Sequence, residues 1–127
     1  MDMYAENILH HFKEPHHFGG LNKATVSAKE SNPLCGDKYG MDLVIDKDGV
    51  ITDASFTGEG CAISKAGVSM LMDEIIGKPL KEVEKLNKDN VLDLLGVEVS
   101  AGRVKCALLG LKTLQSAIKK YHEENPD

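Results

Sequence analysis

The sequence predicts an α+β fold in which an antiparallel three-stranded sheet carries helices packed on one face. Three observations carry that expectation. Two β-branched runs are joined by an Asp-Gly turn, the hydrophobic period lengthens after Gly60, and the elements follow the order helix, strands, helices. Residues 3–13, "MYAENILHHFK", place Tyr4, Ile8 and Phe12 on one helical face, and Pro15 stops the helix. "HHFGGLNK" reads as a loop, and "ATVSAKES" begins an extended segment rich in Thr, Val and Ser. "GMDLVIDKDGVITDASFTG" reads as a β-hairpin, with Asp48-Gly49 expected to supply the positive φ angles of its turn. The first extended segment joins this hairpin as a third strand.

After Gly60, "CAISKAGVSMLMDEIIG" sets Ile63, Ala66, Met70, Leu71 and Ile75 at helical spacing, with Gly77 as the stop. "KPLKEVEKLN" and "KDNVLDLLG" read as two short helices, the first begun by Pro79 and the second ended by Gly96. One last helix is expected from about Ser100, its N-cap, with Lys119 and Lys120 near its negative end.

A chain of 127 residues suits one domain spanning 1–127, large enough to bury a core without a staple. The net charge of −5 argues against a nucleic-acid partner, since no Lys/Arg cluster is dense enough to neutralise a run of phosphates. A protein partner fits better. The start "MDMYAENILHHF" has neither the basic nor the apolar region of a signal peptide, and no apolar run reaches membrane-spanning length. The expected location is the cytoplasm, without membrane association.

Cys35, Cys61 and Cys106 are odd in number and widely spaced, which argues against a disulfide framework and excludes CxxC motifs. Any joint role has to be assembled by the fold. Cys35 falls in the turn between the first two strands, Cys61 at the positive end of a helix, and Cys106 early in the last helix beside Arg103 and Lys105. A free cysteine is often a small buried hydrophobe. Here glycines crowd two of the three, and a charged residue lies within two positions of each. With Asp37 two residues after Cys35, the set offers three thiols and a carboxylate, a tetrahedral ligand set for zinc or for the edge of a cluster.

Other candidates have simpler readings. His10, His11, His16 and His17 lie far from the cysteines in sequence, and adjacent helical histidines point in different directions. They are expected to be solvated helix and loop residues. His122 reads as a cation at a helix C-terminus. "DKDG" lacks the distal glutamate of a calcium loop. "GEGCAI" has Ile63 where a dinucleotide fingerprint needs its third glycine. Met70 and Met72 read as core.

"NPLCGD", "GEGCAIS" and "RVKCA", in this order behind the helix "YAENILHHFKEPHHFGG", closely resemble the IscU/SufU/NifU-type iron–sulfur cluster assembly scaffolds, over nearly the whole chain. The resemblance implies the NifU N-terminal/IscU-like fold, with Cys35, Asp37, Cys61 and Cys106 presented at one end as ligands. It implies a scaffold and sulfur acceptor rather than a turnover enzyme. Such a scaffold takes sulfur from a cysteine desulfurase, builds a [2Fe-2S] cluster from iron, and passes it to recipient apo iron–sulfur proteins. Cys106 matches the cysteine that accepts persulfide sulfur, and its expected place on a surface helix leaves it open to a partner's loop. Zinc is the resting or alternative metal, and a homodimer on cluster binding is compatible with this reading.

The resemblance is divided between branches. IscU-type members place a histidine immediately before the last cysteine, where this chain has Lys105. SufU-type members resemble "KCA" and "GEGCAIS" but carry an insertion between the second and third cysteines that this chain lacks. The alternative function implied by that branch is a zinc-dependent sulfurtransferase that accepts persulfide and builds no cluster. A structural zinc module is a weaker third reading, because the glycines beside two ligands favour a site that can open.

Overall fold

A computed structural model describes residues 3–33 and 36–125 of the chain. Helix α1 (Met3–Lys13) precedes three strands, β1 (Val26–Asn32), β2 (Asp37–Ile45) and β3 (Ile51–Glu59). They form an antiparallel sheet in the order β1-β2-β3. The helices α2 (Ala62–Ile75), α3 (Leu80–Val83), α4 (Lys88–Leu95), α5 (Val104–Ala107) and α6 (Leu109–Glu124) follow.

The sheet is two-faced because side chains alternate along each strand. In β2 the odd-numbered residues Asp37, Tyr39, Met41, Leu43 and Ile45 are all buried. Register sets Met41 opposite Ala28 and Phe56, and Leu43 opposite Val26 and Ala54, so one continuous apolar face meets the helices. The other face carries Ser27, Lys29, Asp42 and Thr57. There Asp42 accepts hydrogen bonds from the Ser27 hydroxyl (2.6 Å) and the Leu21 amide (2.9 Å). The expected α+β class, three strands and one-sided helices are what the structure has.

Helix α2 is the hub. Val68, Leu71, Met72 and Ile75 pack with the sheet and with Leu114, Ala117 and Ile118 of α6. On its other side Ala66 and Met70 pack with Ile8 of α1, Leu95 of α4 and Ala107 of α5. Its burial on both sides explains the weak amphipathic pattern of "AGVSMLM". α4 opens with a reciprocal capping box between Asn87 and Asn90 and closes on Gly96 in the left-handed conformation.

Two local expectations change. In the hairpin turn only Gly49 has positive φ (79°). The Asp46 side chain instead accepts the Asp48 and Val50 amides, so an Asx-type turn replaces the two-residue one. The last helix is not continuous: a 3-10 turn (Ala101–Arg103) and the single-turn α5 precede α6, with a break at Leu108 (φ −97°, ψ 1°). Ser100 stands at the start of this segment but makes no side-chain cap. The break falls between two close approaches to α2. A Cβ on Gly67 would lie 3.3 Å from the Ala107 carbonyl oxygen, and one on Gly110 would lie 2.6 Å from Val68 Cγ2.

Gly58 pairs with Tyr39 at φ 126°, and a Cβ there would fall 2.1 Å from the Lys38 carbonyl oxygen. Gly58→Ala is therefore expected to lower unfolding free energy by about 2 kcal/mol or more. Urea denaturation of both proteins measures it, and a loss below the scatter of surface substitutions would contradict this account of the strand.

Candidate functional site

The candidate residues collect at the end of the sheet where β1 ends, β2 begins and α2 starts. Asp37 is the first residue of β2, paired with Asn32 at the end of β1. The alternation that buries Leu43 and Met41 also turns the Asp37 carboxylate toward the helices, and the residue is 5% exposed. Among the described residues its Oδ2 is buried and has no hydrogen-bond partner. A buried carboxylate oxygen in that state is costly unless a cation or a donor meets it.

Cys61 occupies the N-cap position of α2 and is half-buried. Its side chain makes no cap hydrogen bond, so the thiol stands beside the open amides of the first turn. Gly60 brings this helix start against Asp37. A Cβ at Gly60 would lie 2.4 Å from Tyr39 Oη and 2.9 Å from Asp37 Cγ, so the contact requires the absence of a side chain. The Ser64 hydroxyl, one turn into α2, hydrogen-bonds Tyr39 Oη at 2.9 Å in the interior and fixes the helix over the strand.

Cys106 lies in α5 and is 7% exposed, with the Asn32 amide nitrogen 3.9 Å from its Sγ. The expected open position on a surface helix is therefore corrected: the packing of α5 on α2 draws the thiol inward, while Arg103 and Lys105 remain exposed. Cys35 lies outside the described residues. The strands flanking it end at Asn32 and begin at Asp37, and the Gly36 amide donates to the Asn32 carbonyl at 2.9 Å.

Asp37, Cys61 and Cys106 thus share one end of the fold. Their ligand atoms do not all lie within 4.8 Å of one another among the described residues. Asn32, Tyr39, Ser64 and the steric role of Gly60 escaped the sequence reading. The one available signal was the two-residue spacing from Asp37 to Tyr39.

Of the histidines, His10 and His17 are exposed as expected, whereas His11 is not. His11 is buried, its Nδ1 2.6 Å from Ser69 Oγ, and that hydroxyl also accepts the His16 amide at 2.7 Å. Asp73 meets His16 Nδ1 at 2.6 Å and His17 Nε2 at 3.0 Å. Burial, then the neighbouring His16, holds the His11 imidazole below the ordinary histidine value, while Asp73 pulls the other way and His10 adds a smaller lowering. His122 at the end of α6 contacts Glu84.

Gly60→Ala is expected to drive a methyl group into Tyr39 Oη and the Asp37 carboxyl, lowering thermal stability and Zn²⁺ affinity together. Thermal melts and a zinc titration on the same preparation read both. A variant with both values unchanged would mean that the close approach of α2 to Asp37 is not required.

The model of the NifU-like N terminal domain matches residues 3–126. The chain is 33% identical to the "Zinc-dependent sulfurtransferase SufU" of Bacillus subtilis, with 97% of this chain and 94% of that protein covered. It is 35% identical to the "Iron-sulfur cluster assembly scaffold protein IscU" of Thermotoga maritima, with 93% and 94% covered. Among solved structures, a putative iron–sulfur cluster assembly scaffold for the SUF system from Fervidobacterium islandicum superposes with a TM-score of 0.71 at 28% identity, covering 89% of this chain and 94% of that one. The N-terminal part of a NifU-like protein from Brucella abortus shares the fold, with a TM-score of 0.80 at 20% identity over 95% of each chain. A domain match over nearly the whole chain and relatives of both named types agree: the chain belongs to the NifU-like N-terminal domain family.

Proposed function

We propose that this protein is a scaffold on which iron and desulfurase-derived sulfur are assembled into a [2Fe-2S] cluster for delivery to apo-proteins. The observation that carries the reading is the buried Oδ2 of Asp37, without a hydrogen-bond partner among the described residues, at the end of the fold that also holds Cys61 and Cys106. A carboxylate buried beside thiols is the chemistry of a metal-binding set. Cys35, Asp37, Cys61 and Cys106 are the proposed ligands, within a scaffold domain spanning 1–127.

Sulfur enters by thiol–persulfide exchange. The Cys106 thiolate attacks the outer sulfur of the desulfurase persulfide, a new S–S bond forms at Cys106, and the desulfurase thiolate leaves with the electron pair. No outside oxidant is needed. Because Cys106 is buried, the transfer requires α5 to yield or the desulfurase to reach between α5 and β1. Each sulfur must then gain two electrons to become sulfide, which dithiothreitol supplies in a test tube.

The second reading, a zinc-dependent sulfurtransferase, is favoured by the similarity to the Bacillus subtilis protein so named and by Lys105 immediately before Cys106. The same residues fit zinc as the resting metal: Cys35, Asp37, Cys61 and Cys106 would hold the ion, which when bound would keep the thiols as thiolates. Both readings place the protein beside a cysteine desulfurase. No helix among the described residues is long and apolar enough to cross a membrane.

Anaerobic reconstitution with Fe²⁺, L-cysteine, dithiothreitol and a cysteine desulfurase tests the proposal. The expected result is the absorption and Mössbauer signature of a [2Fe-2S] cluster that passes to an apo-ferredoxin. A chain that accepts sulfur, retains zinc and never forms a cluster would instead be the sulfurtransferase. Asp37→Ala is expected to permit assembly and to slow delivery, because the carboxylate is the harder and more exchangeable ligand. Equal transfer rates would remove Asp37 from the release step. Mass spectrometry after desulfurase treatment without iron should place the added sulfur on Cys106, and its recovery on Cys35 or Cys61 alone would reassign the acceptor.

A further inference from the structure

We propose that His11, His16 and Asp73 form a second, sulfur-free site for a divalent transition-metal ion, separate from the cysteine end of the fold. One ligand atom from each of these residues lies within 4.8 Å of the others. At about 1.5 Å of helical rise per residue, Asp73 stands about 18 Å along α2 from Cys61. An ion held here cannot be shared with the Cys61 thiol.

The group is built from three separate segments. His11 comes from α1, His16 from the loop after Pro15, and Asp73 from the last turns of α2. Each donor is held by a second contact of the kind that orients metal ligands. The Ser69 hydroxyl can accept from both the His16 amide and His11 Nδ1, which leaves His11 Nε2 as the open ligand atom. His17 Nε2 meets Asp73 Oδ1 at 3.0 Å and leaves Oδ2 on the His16 side. His17 takes a left-handed backbone (φ 57°), uncommon for a residue with a side chain, to reach this position.

His10 adds a further nitrogen at the rim. Its Nε2 is 3.1 Å from His16 Nε2, while Glu14 lies 3.5 Å from its Nδ1. Ring centroids of His10, His11 and His16 are 4.3–5.5 Å apart. Two imidazole nitrogens and one carboxylate oxygen select borderline ions such as Zn²⁺, Co²⁺ or Ni²⁺ over Ca²⁺ or Mg²⁺, with water completing the coordination. His11 is buried, whereas His16 and Asp73 are about two-fifths exposed, so an ion can enter from solvent.

Anaerobic Co²⁺ titration of the full chain, followed by absorption spectroscopy, separates the two sites. The expected result is one Co²⁺ with visible ligand-field bands and no thiolate-to-metal charge transfer, in addition to any sulfur-bound ion. Cys106→Ser should leave this sulfur-free signal unchanged. His16→Ala and Asp73→Asn, both at partly exposed positions, should each weaken it at least tenfold and leave any thiolate bands intact. Absence of a sulfur-free ion in the wild type, or its survival in both variants, overturns the proposal.

Discussion

The alternation of the central strand governs both stability and site. From Ile45 back to Asp37, every second residue of β2 faces the helices, and nothing in the pleat distinguishes a core position from a functional one. Leu43 and Met41 use this geometry to exclude water. At the end of the same row the geometry places a carboxylate where water is also excluded, and the row changes role at Tyr39. The Tyr39 ring packs with Phe56 while its hydroxyl meets Ser64 at the start of α2. The apolar interior therefore serves as the rigid support that holds Asp37 in place, so core substitutions near Tyr39 will be felt at the site.

Helix α2 performs the complementary task. Its start presents Cys61, its middle fills the core on both sides, and its last turns carry Ser69 and Asp73 to the histidines of α1 and the following loop. A helix buried along most of its length has little freedom to shift without disturbing all three. Movement at the cysteine end is more accessible to α5. That helix is a single turn, bounded by a 3-10 turn and by the break at Leu108. The buried Cys106 thiol is thus carried by one of the shortest elements, and the half-buried Cys61 thiol by one of the most firmly held.

The fold was legible where local patterns and tertiary packing ask for the same thing. The hairpin, the stop at Gly96 and the α1 helix are each determined by residues close in sequence, and "GEGCAIS" marked the strand-to-helix junction through its glycines. The continuous last helix was misread because the apolar spacing of "VKCALLGLKTL" runs on through Leu108. The break at Leu108 falls between the close approaches at Gly67 and Gly110, contacts that leave no trace in the local sequence pattern. The burial of Cys106 has the same origin. The histidines were dismissed on sequence distance from the cysteines, and their actual partners, Ser69 and Asp73, are polar residues in a helix whose pattern drew attention only to its apolar ones.

The loop after α1 also determines what the sheet can join. A three-stranded sheet has two edges, and unpaired edges recruit foreign strands. Along β3 the backbone of Phe56 is already engaged, donating to His17 and accepting from Gly19, with Phe18 bridged alongside. Along β1 no further strand lies beyond it among the described residues, yet the side chains there are Lys29 and Glu30, and Lys120 of α6 donates to the Ser27 carbonyl at 3.2 Å. One edge is blocked by the chain itself and the other guarded by charge. Self-association through strand addition is thereby disfavoured, which leaves the end of the fold that carries Cys61 and Cys106, rather than the sheet edges, as the place for encounters with other chains.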